Sequence, residues 1–360
     1  MLLLIAAVVA LLLTPGHDTA QKQKGTDMPQ NEPASSILRS EFIFERGPTP
    51  GCHASTLVEA NDGTLVAAWF AGTDEGKPDV GIWSAALAGG KWTAPVEVAD
   101  GVQPDGKRFP CWNPVLFQPR TGPLLLFYKV GPSPSAWWGM LRNSADNGHT
   151  WSAAERLPNG ILGPIKNKPV QLPDGTILCG SSAERLNPPP SWQIHFERST
   201  DNGKTWALVQ VPQPASSPPA IQPSILLLGG GRLMAVGRSK SGKVFATKSL
   251  DSGLTWSSLS LLDLPNPNSG TDAVTLKDGR HLLIYNHTDK GRSPLNLAVS
   301  SDGTTWQPVL VLENEPAMEF SYPAIVQTRD GMVHVTYTWK RKRIKHVVID
   351  PTKLTGQSSK

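Results

Sequence analysis

Apolar residues recur along this chain as paired runs joined by a turn that ends in glycine. Each unit opens on a polar residue followed by proline or a small residue, then an apolar run, the turn, and a second apolar run. The pattern reads HASTLVEANDGTLVAAWF at 53–70, NPVLFQPRTGPLLLFY at 113–128 and KPVQLPDGTILCG at 168–180. It returns as QPSILLLGGGRLMAVG at 222–237, DAVTLKDGRHLLIY at 272–285 and YPAIVQTRDGMVHVTY at 322–337. The equivalent small or proline positions, Ser55, Pro114, Pro169, Pro223, Ala273 and Pro323, lie 59, 55, 54, 50 and 50 residues apart. Two apolar runs around a glycine turn predict a β-hairpin, so the chain holds six hairpin units.

A third strand and a second turn follow each hairpin. The second turns read SADNGHTW (144–151), STDNGKTW (199–206), SLDSGLTW (249–256) and the shorter SSDGTTW (300–306), while the first unit keeps only GGKW at 89–92. The pattern is locally explicable: the Asp accepts backbone N–H groups across the turn, the Gly takes positive φ, and the Trp packs between neighbouring sheets. These boxes are structural. A fourth strand follows, as in SAAERL (152–157) and SSLSLLDL (257–264). Four strands at a period near 50 predict propeller blades. The sixth unit ends at IKHVVID (344–350) without a fourth strand, and SEFIFERG (40–47) supplies it. The expectation is one all-β domain over 39–352, a six-bladed β-propeller whose N-terminal strand closes the last blade, with a short tail at 353–360.

Composition agrees with that reading. The 360 residues include 33 Gly and 33 Pro, too many breakers for a helical protein. A net charge of +4 leans weakly towards acidic ligands and does not suggest a nucleic-acid partner. Residues 2–13, LLLIAAVVALLL, fit the apolar core of a signal peptide over 1–20, with cleavage near Ala20, or else an uncleaved anchor. The polar stretch 21–38 reads as a disordered leader, and the protein as exported, periplasmic or extracellular, with no membrane span after processing. Three cysteines form no disulfide framework; Cys52 and Cys111 hold equivalent repeat positions and are either bridged or two buried thiols. No metal-ligand spacing and no phosphate cradle occurs, so no cofactor is implied.

Chemistry collects where the inner strands begin and where the loops between second and third strands open on the same face. The strand starts carry His53, Trp112 with Asn113, Asn167 with Lys168, Gln222, Asp272 and Tyr322. The loops carry Glu75 and Asp79, Lys129, Glu184, Arg238, Asn286, His287, Arg292 and the basic run Lys340 to Lys345. Polar residues at six strand starts are hard to explain by packing; they either form an axial ligand site or bond to each other and to water in the channel. The basic run, with Arg341 and Arg343, either steers an anionic glycan or is a solvated turn.

Four such boxes on a six-fold propeller resemble the sialidase (neuraminidase) superfamily with its Asp-box, or BNR, repeats, over about residues 40–351. The resemblance implies a carboxylate clamp of arginines, since the guanidinium fork matches a carboxylate. Arg238 and Arg292 stand where the family has its second and third arginines. Tyr322 stands where it has its tyrosine nucleophile, and Asp79 resembles its acid/base Asp. Two positions depart from the family: its first arginine falls on His53, and the Glu that activates the tyrosine falls on Gln222. A tyrosine without a base is a poor nucleophile, and Asp272 or Glu319 is then the substitute. The resemblance implies a glycosidase acting beside a carboxylate-bearing sugar, with an acidic oligosaccharide or polysaccharide as substrate. Asn113, Lys168, Gln222, Asn286, His287, Arg341 and Arg343 are added to the binding set. A His at the axis suits a second reading, β-elimination from a uronate, with His53 as base and Tyr322 as acid. A third is a propeller that binds glycan or protein without catalysis.

Overall fold

The structure is a computed structural model that describes residues 35–186 and 191–354; the apolar run, the point near Ala20 and most of the polar leader lie outside the described residues. Six antiparallel sheets follow one another along the chain. Blade one is built from Gly51–Glu59, Leu65–Gly72 and Gly81–Ala88, with the short edges Lys91–Trp92 and Val96–Ala99 both paired to its third strand. Blade two runs Cys111–Phe117, Leu124–Val130, Trp138–Ser144 and Glu155–Arg156. Blade three runs Val170–Gln171, Ile177–Arg185, Ser191–Ser199 and Ala207–Gln210. Blades four and five begin at Ala220–Gly229 and Asp272–Thr275 and end at Ser260–Pro265 and Gln307–Glu313. Blade six has three strands of its own, Phe320–Gln327, Val333–Trp339 and Arg343–Ile349.

Its fourth strand is Ile37–Phe42, paired antiparallel to Arg343–Ile349 with Phe42 opposite Lys345. The closing strand therefore starts a few residues before the 40–47 segment, which continues as one further backbone bond, Ile43 N to Ile344 O, and then leaves the sheet. The only helical piece among the described residues is the 3₁₀ turn Pro351–Lys353, and no helix there is long and apolar enough to cross a membrane.

The second strands are apolar almost without alternation because each sheet is covered on both faces by its neighbours. Leu65–Gly72 and Leu124–Val130 are buried at every position. The apolar side chains divide into six clusters, one in each gap between successive blades. The ring closes where Trp69, Leu57 and Cys52 of blade one meet Ile344 of blade six. All three cysteines are buried free thiols, so Cys52 and Cys111 are the unbridged pair. Burial pushes the Cys52 thiol up to about 12.

The boxes sit at the outer turns and repeat one design. In the second blade Asp146 accepts from the Thr150 amide at 2.8 Å and its hydroxyl at 2.6 Å, and Ser144 caps Gly148 N at 2.7 Å. Asp201 and Asp251 repeat these bonds, and the three carboxyls are held down to about 2 by the Thr hydroxyl first and its amide second. Each box tryptophan packs on the preceding blade: Trp206 against Phe127, and Trp256 stacked on Phe196 at 3.8 Å. The reduced first turn keeps the tryptophan only, and Trp92 instead donates to Glu41 of the closing strand at 3.0 Å.

Candidate functional site

Four of the six inner strands break register at the same place. The shifts fall between His53 and Thr56, Trp112 and Val115, Ile221 and Ser224, and Ser321 and Ala324. Inside each lies a non-glycine residue with positive φ: Ala54 at 57°, Asn113 at 38°, Gln222 at 60° and Tyr322 at 49°. Three of the four precede proline, a setting that normally favours extended backbone. Such residues cost about 1–3 kcal/mol each and persist where the surroundings hold them. The bulge re-aims the local side chains from the blade interior into the channel mouth.

Tyr322 lies at the centre of that mouth. Its hydroxyl accepts from Arg238 Nη1 at 2.9 Å and from Gln222 Nε2 at 3.2 Å. Gly270 permits this fit: a Cβ there would stand 3.2 Å from Gln222 Oε1 and 3.3 Å from the Tyr322 ring. Arg292 lies over the ring face at 5.6 Å. His53 packs on the same ring with centroids 4.2 Å apart, and its Nδ1 pairs with Thr338 Oγ1 at 3.0 Å. Burial above all, then the charges of Arg341, Arg292, Lys166 and Arg238, holds His53 well below the ordinary histidine value, so it is neutral.

A second group adjoins the first. Arg292 Nη1 and Arg341 Nε converge on one oxygen of Glu319, each at 2.7 Å, and Ser321 donates to the same oxygen at 2.7 Å. Burial alone would raise the Glu319 carboxyl; the two guanidiniums and Ser321 outweigh it and hold the group below its ordinary value. Arg341 also reaches Glu75 on the blade-one loop, and its peptide oxygen accepts from Cys52 N at 3.0 Å. Arg341 thus comes from blade six to stand beside His53, bordering a small recess with Phe70, Asp74 and Glu75. Arg238 anchors the other side through Asn268 Oδ1 at 2.7 Å, with its guanidinium 4.9 Å over Trp192. Three guanidiniums, Arg238, Arg292 and Arg341, surround the mouth and suit a carboxylate-bearing ligand.

The other residues named from the sequence lie elsewhere or face away. Asp79 turns its carboxylate onto Thr73, accepting from the amide at 2.8 Å and the hydroxyl at 2.6 Å, which holds it below its ordinary value. Asp272 is fully buried and saturated: it accepts from Lys168 at 3.0 Å, Ser224 at 2.9 Å, Ile325 N at 3.0 Å and Ala273 N at 2.8 Å. It ties blades together and does not meet Tyr322 Oη. Asn286 latches Ser269, Pro294 and Phe320, and His287 pairs with Tyr285. Asn113 is buried in its bulge. Arg343 stacks on Phe42 at 3.5 Å and pairs with Glu45, at the outer edge of blade six. Sequence reasoning passed over Lys166, Thr338, Asn268 and Ser321. Of these only Lys166 left a signal, a charge just ahead of an apolar inner strand.

The comparisons with known proteins fit this geometry. Residues 63–335 match the BNR repeat-like domain model. Over 252 residues the chain is 24% identical to a sialidase from Bacteroides fragilis, covering 61% of this chain and 44% of that protein. Among solved structures, a protein of unknown function from Dyadobacter fermentans superposes with TM-score 0.72 at 19% identity, over 87% of this chain and 98% of the other. The NanB sialidase from Streptococcus pneumoniae superposes with TM-score 0.72 at 13% identity, over 89% and 71%. An intramolecular trans-sialidase from Ruminococcus gnavus does so with TM-score 0.71 at 15% identity, over 90% and 100%. Taken with the four boxes and the six blades, the matched domain places this chain in the BNR repeat-like family of sialidase-like propellers.

Proposed function

We propose that the protein is an exported glycoside hydrolase of the sialidase type, cleaving the bond to a terminal carboxylate-bearing sugar. The observation that carries this is the Tyr322 hydroxyl held at the axis by Arg238 and Gln222, beside the Arg292 and Arg341 pair. Arg292 and Arg341 already hold the carboxylate of Glu319, and with Arg238 they form the clamp for the substrate carboxylate. In this reading Arg341 stands in for the arginine that His53 replaces on blade one. The distant sialidase relative supports the same class, and the apolar run at 2–13 supports export.

The reaction runs through two displacements. Tyr322 Oη attacks the anomeric carbon as the bond to the leaving oxygen breaks, and that oxygen takes a proton from an acid on the loop after blade one's second strand. Asp74 fills that role, because it borders the recess with His53 and Arg341, whereas Asp79 is tied to Thr73 and held below its ordinary value. The phenol proton leaves to water in the channel mouth, since Gln222 is an amide and takes no proton and burial with the surrounding cations keeps His53 neutral. Water then attacks the anomeric carbon, the loop carboxylate takes its proton, and Tyr322 leaves and recovers a proton from water in the mouth.

The test is product mass spectrometry in heavy-oxygen water across sialosides and uronate glycans. A released acidic sugar carrying one heavy oxygen is expected. An unsaturated uronate product would replace hydrolysis with elimination, and binding without turnover of any glycan would replace it with recognition alone.

A further inference from the structure

Blade three enters the axis differently from its neighbours. Its inner strand is two residues, Val170–Gln171, where those of blades two, four and six have 7, 10 and 8. The chain just ahead of it runs along the channel instead, and three consecutive side chains cross to other blades. Lys166 Nζ donates to Thr271 O at 2.8 Å and to Pro323 O. Asn167 Nδ2 donates to Gln222 O at 2.8 Å. Lys168 Nζ donates to Ala273 O at 2.8 Å and pairs with Asp272. Lys166 and Asn167 are 4% and 2% exposed, so these bonds are made away from water, where they count most.

Two of the carbonyls held this way belong to the strained turns at the mouth. Gln222 is itself left-handed, and Pro323 follows the left-handed Tyr322. Both stand where the strand ladder shifts register. The side chains of Gln222 and Tyr322 meet at the Tyr322 hydroxyl. A left-handed non-glycine residue must be over-determined by its surroundings, and here blade three supplies that restraint from across the channel. We propose that Lys166 and Asn167 are positioning residues: a brace that fixes the backbone turns of Tyr322 and Gln222 and thereby sets where the Tyr322 hydroxyl stands. Only the kinetic consequence rests on the sialidase reading; the placement of Tyr322 does not.

The test uses the full chain labelled at tyrosine ¹³Cζ. The sequence has four tyrosines, Tyr128, Tyr285, Tyr322 and Tyr337, and Tyr322→Phe assigns the resonance. Lys166→Met is expected to move the Tyr322 signal and leave the other three in place. With a turned-over sialoside, kcat is expected to fall about 10- to 100-fold with KM changed by less than about threefold. Lys166→Arg, which still offers donors to both carbonyls, is expected to recover most of the loss. A folded Lys166→Met protein with an unmoved Tyr322 resonance and unchanged kcat would overturn the brace. If the wild type turns over no sialoside, the resonance alone decides, so the brace and the sialidase reading fail separately. If Lys166→Met does not fold, Asn167→Ala decides: a moved Tyr322 signal supports the brace and an unmoved one removes it.

Discussion

The outer turns and the channel mouth grow from the same six-fold repeat and have gone opposite ways. At the rim, Asp146, Asp201 and Asp251 make the same bonds to Thr150, Thr205 and Thr255 at nearly the same distances, and the shortened Asp302 turn approximates them. At the mouth, the equivalent inner-strand positions carry Ala54, Asn113, Lys168, Gln222, Asp272 and Tyr322, and the bonds among them and their neighbours run to different blades. A position that repeats its side chain and its partners solves one packing problem several times. A position that breaks the repeat, and is held in a strained backbone to do so, is arranged around something outside the repeat.

Substitutions at the two regions should separate accordingly. The largest effect is expected from Tyr322→Phe, which removes the proposed nucleophile: kcat should fall at least about 10³-fold with the thermal midpoint nearly unchanged, by steady-state kinetics and calorimetry. Next is Arg292→Ala. Losing one charged contact to a substrate carboxylate, worth roughly 1.5–3 kcal/mol, should raise KM by about 10- to 100-fold in initial-rate assays. At the rim the pattern should invert. Trp256→Ala empties the stack on Phe196 and should cost about 3–5 kcal/mol by denaturant unfolding, with kcat of the folded fraction unaltered. Equal losses of activity from Trp256→Ala and Arg292→Ala would erase the distinction.

The smallest effect is a pH dependence of stability that belongs to the buried histidines. Burial first holds His53, His281, His334 and His346 below the ordinary 6.5, His334 at about 4. The unfolded chain therefore binds more protons than the folded one between pH 6.5 and about 4. Stability is expected to be present above 6.5 and to decline as pH falls through that window. A thermal midpoint flat from pH 7 to 4.5 would contradict the assigned neutral state of these groups.

What the sequence conveys tracks how local the cause is. The hairpins, the boxes and the closing strand are legible because each depends on residues within one turn of each other or on a missing fourth strand. Even there the closing strand begins at Ile37, because pairing to Arg343–Ile349 decides it and not its own apolar pattern. Side-chain direction at the mouth is not local. Asp272 and Tyr322 occupy equivalent strand starts, yet only Tyr322 lies in a left-handed bulge, and Asp272 is drawn into blade contacts with Lys168 and Ser224. Arg341 and Arg343 sit in one basic turn, but Lys340 and Arg341 are both left-handed, and Arg341 faces the axis while Arg343 lies on Phe42. Lys166 escapes notice because its partners are carbonyls on two other blades, which no spacing along the chain reveals.

The central claim, an axial tyrosine nucleophile beneath a carboxylate clamp, is tested most directly by covalent trapping. The full chain would be treated with a 3-fluorosialosyl fluoride, and the adduct located by intact-mass and peptide mass spectrometry. One sialosyl group on Tyr322, absent from Tyr322→Phe and slowed in Arg292→Ala, is the expected result. An adduct on another residue, or none under conditions in which the protein turns over sialosides, would contradict the account.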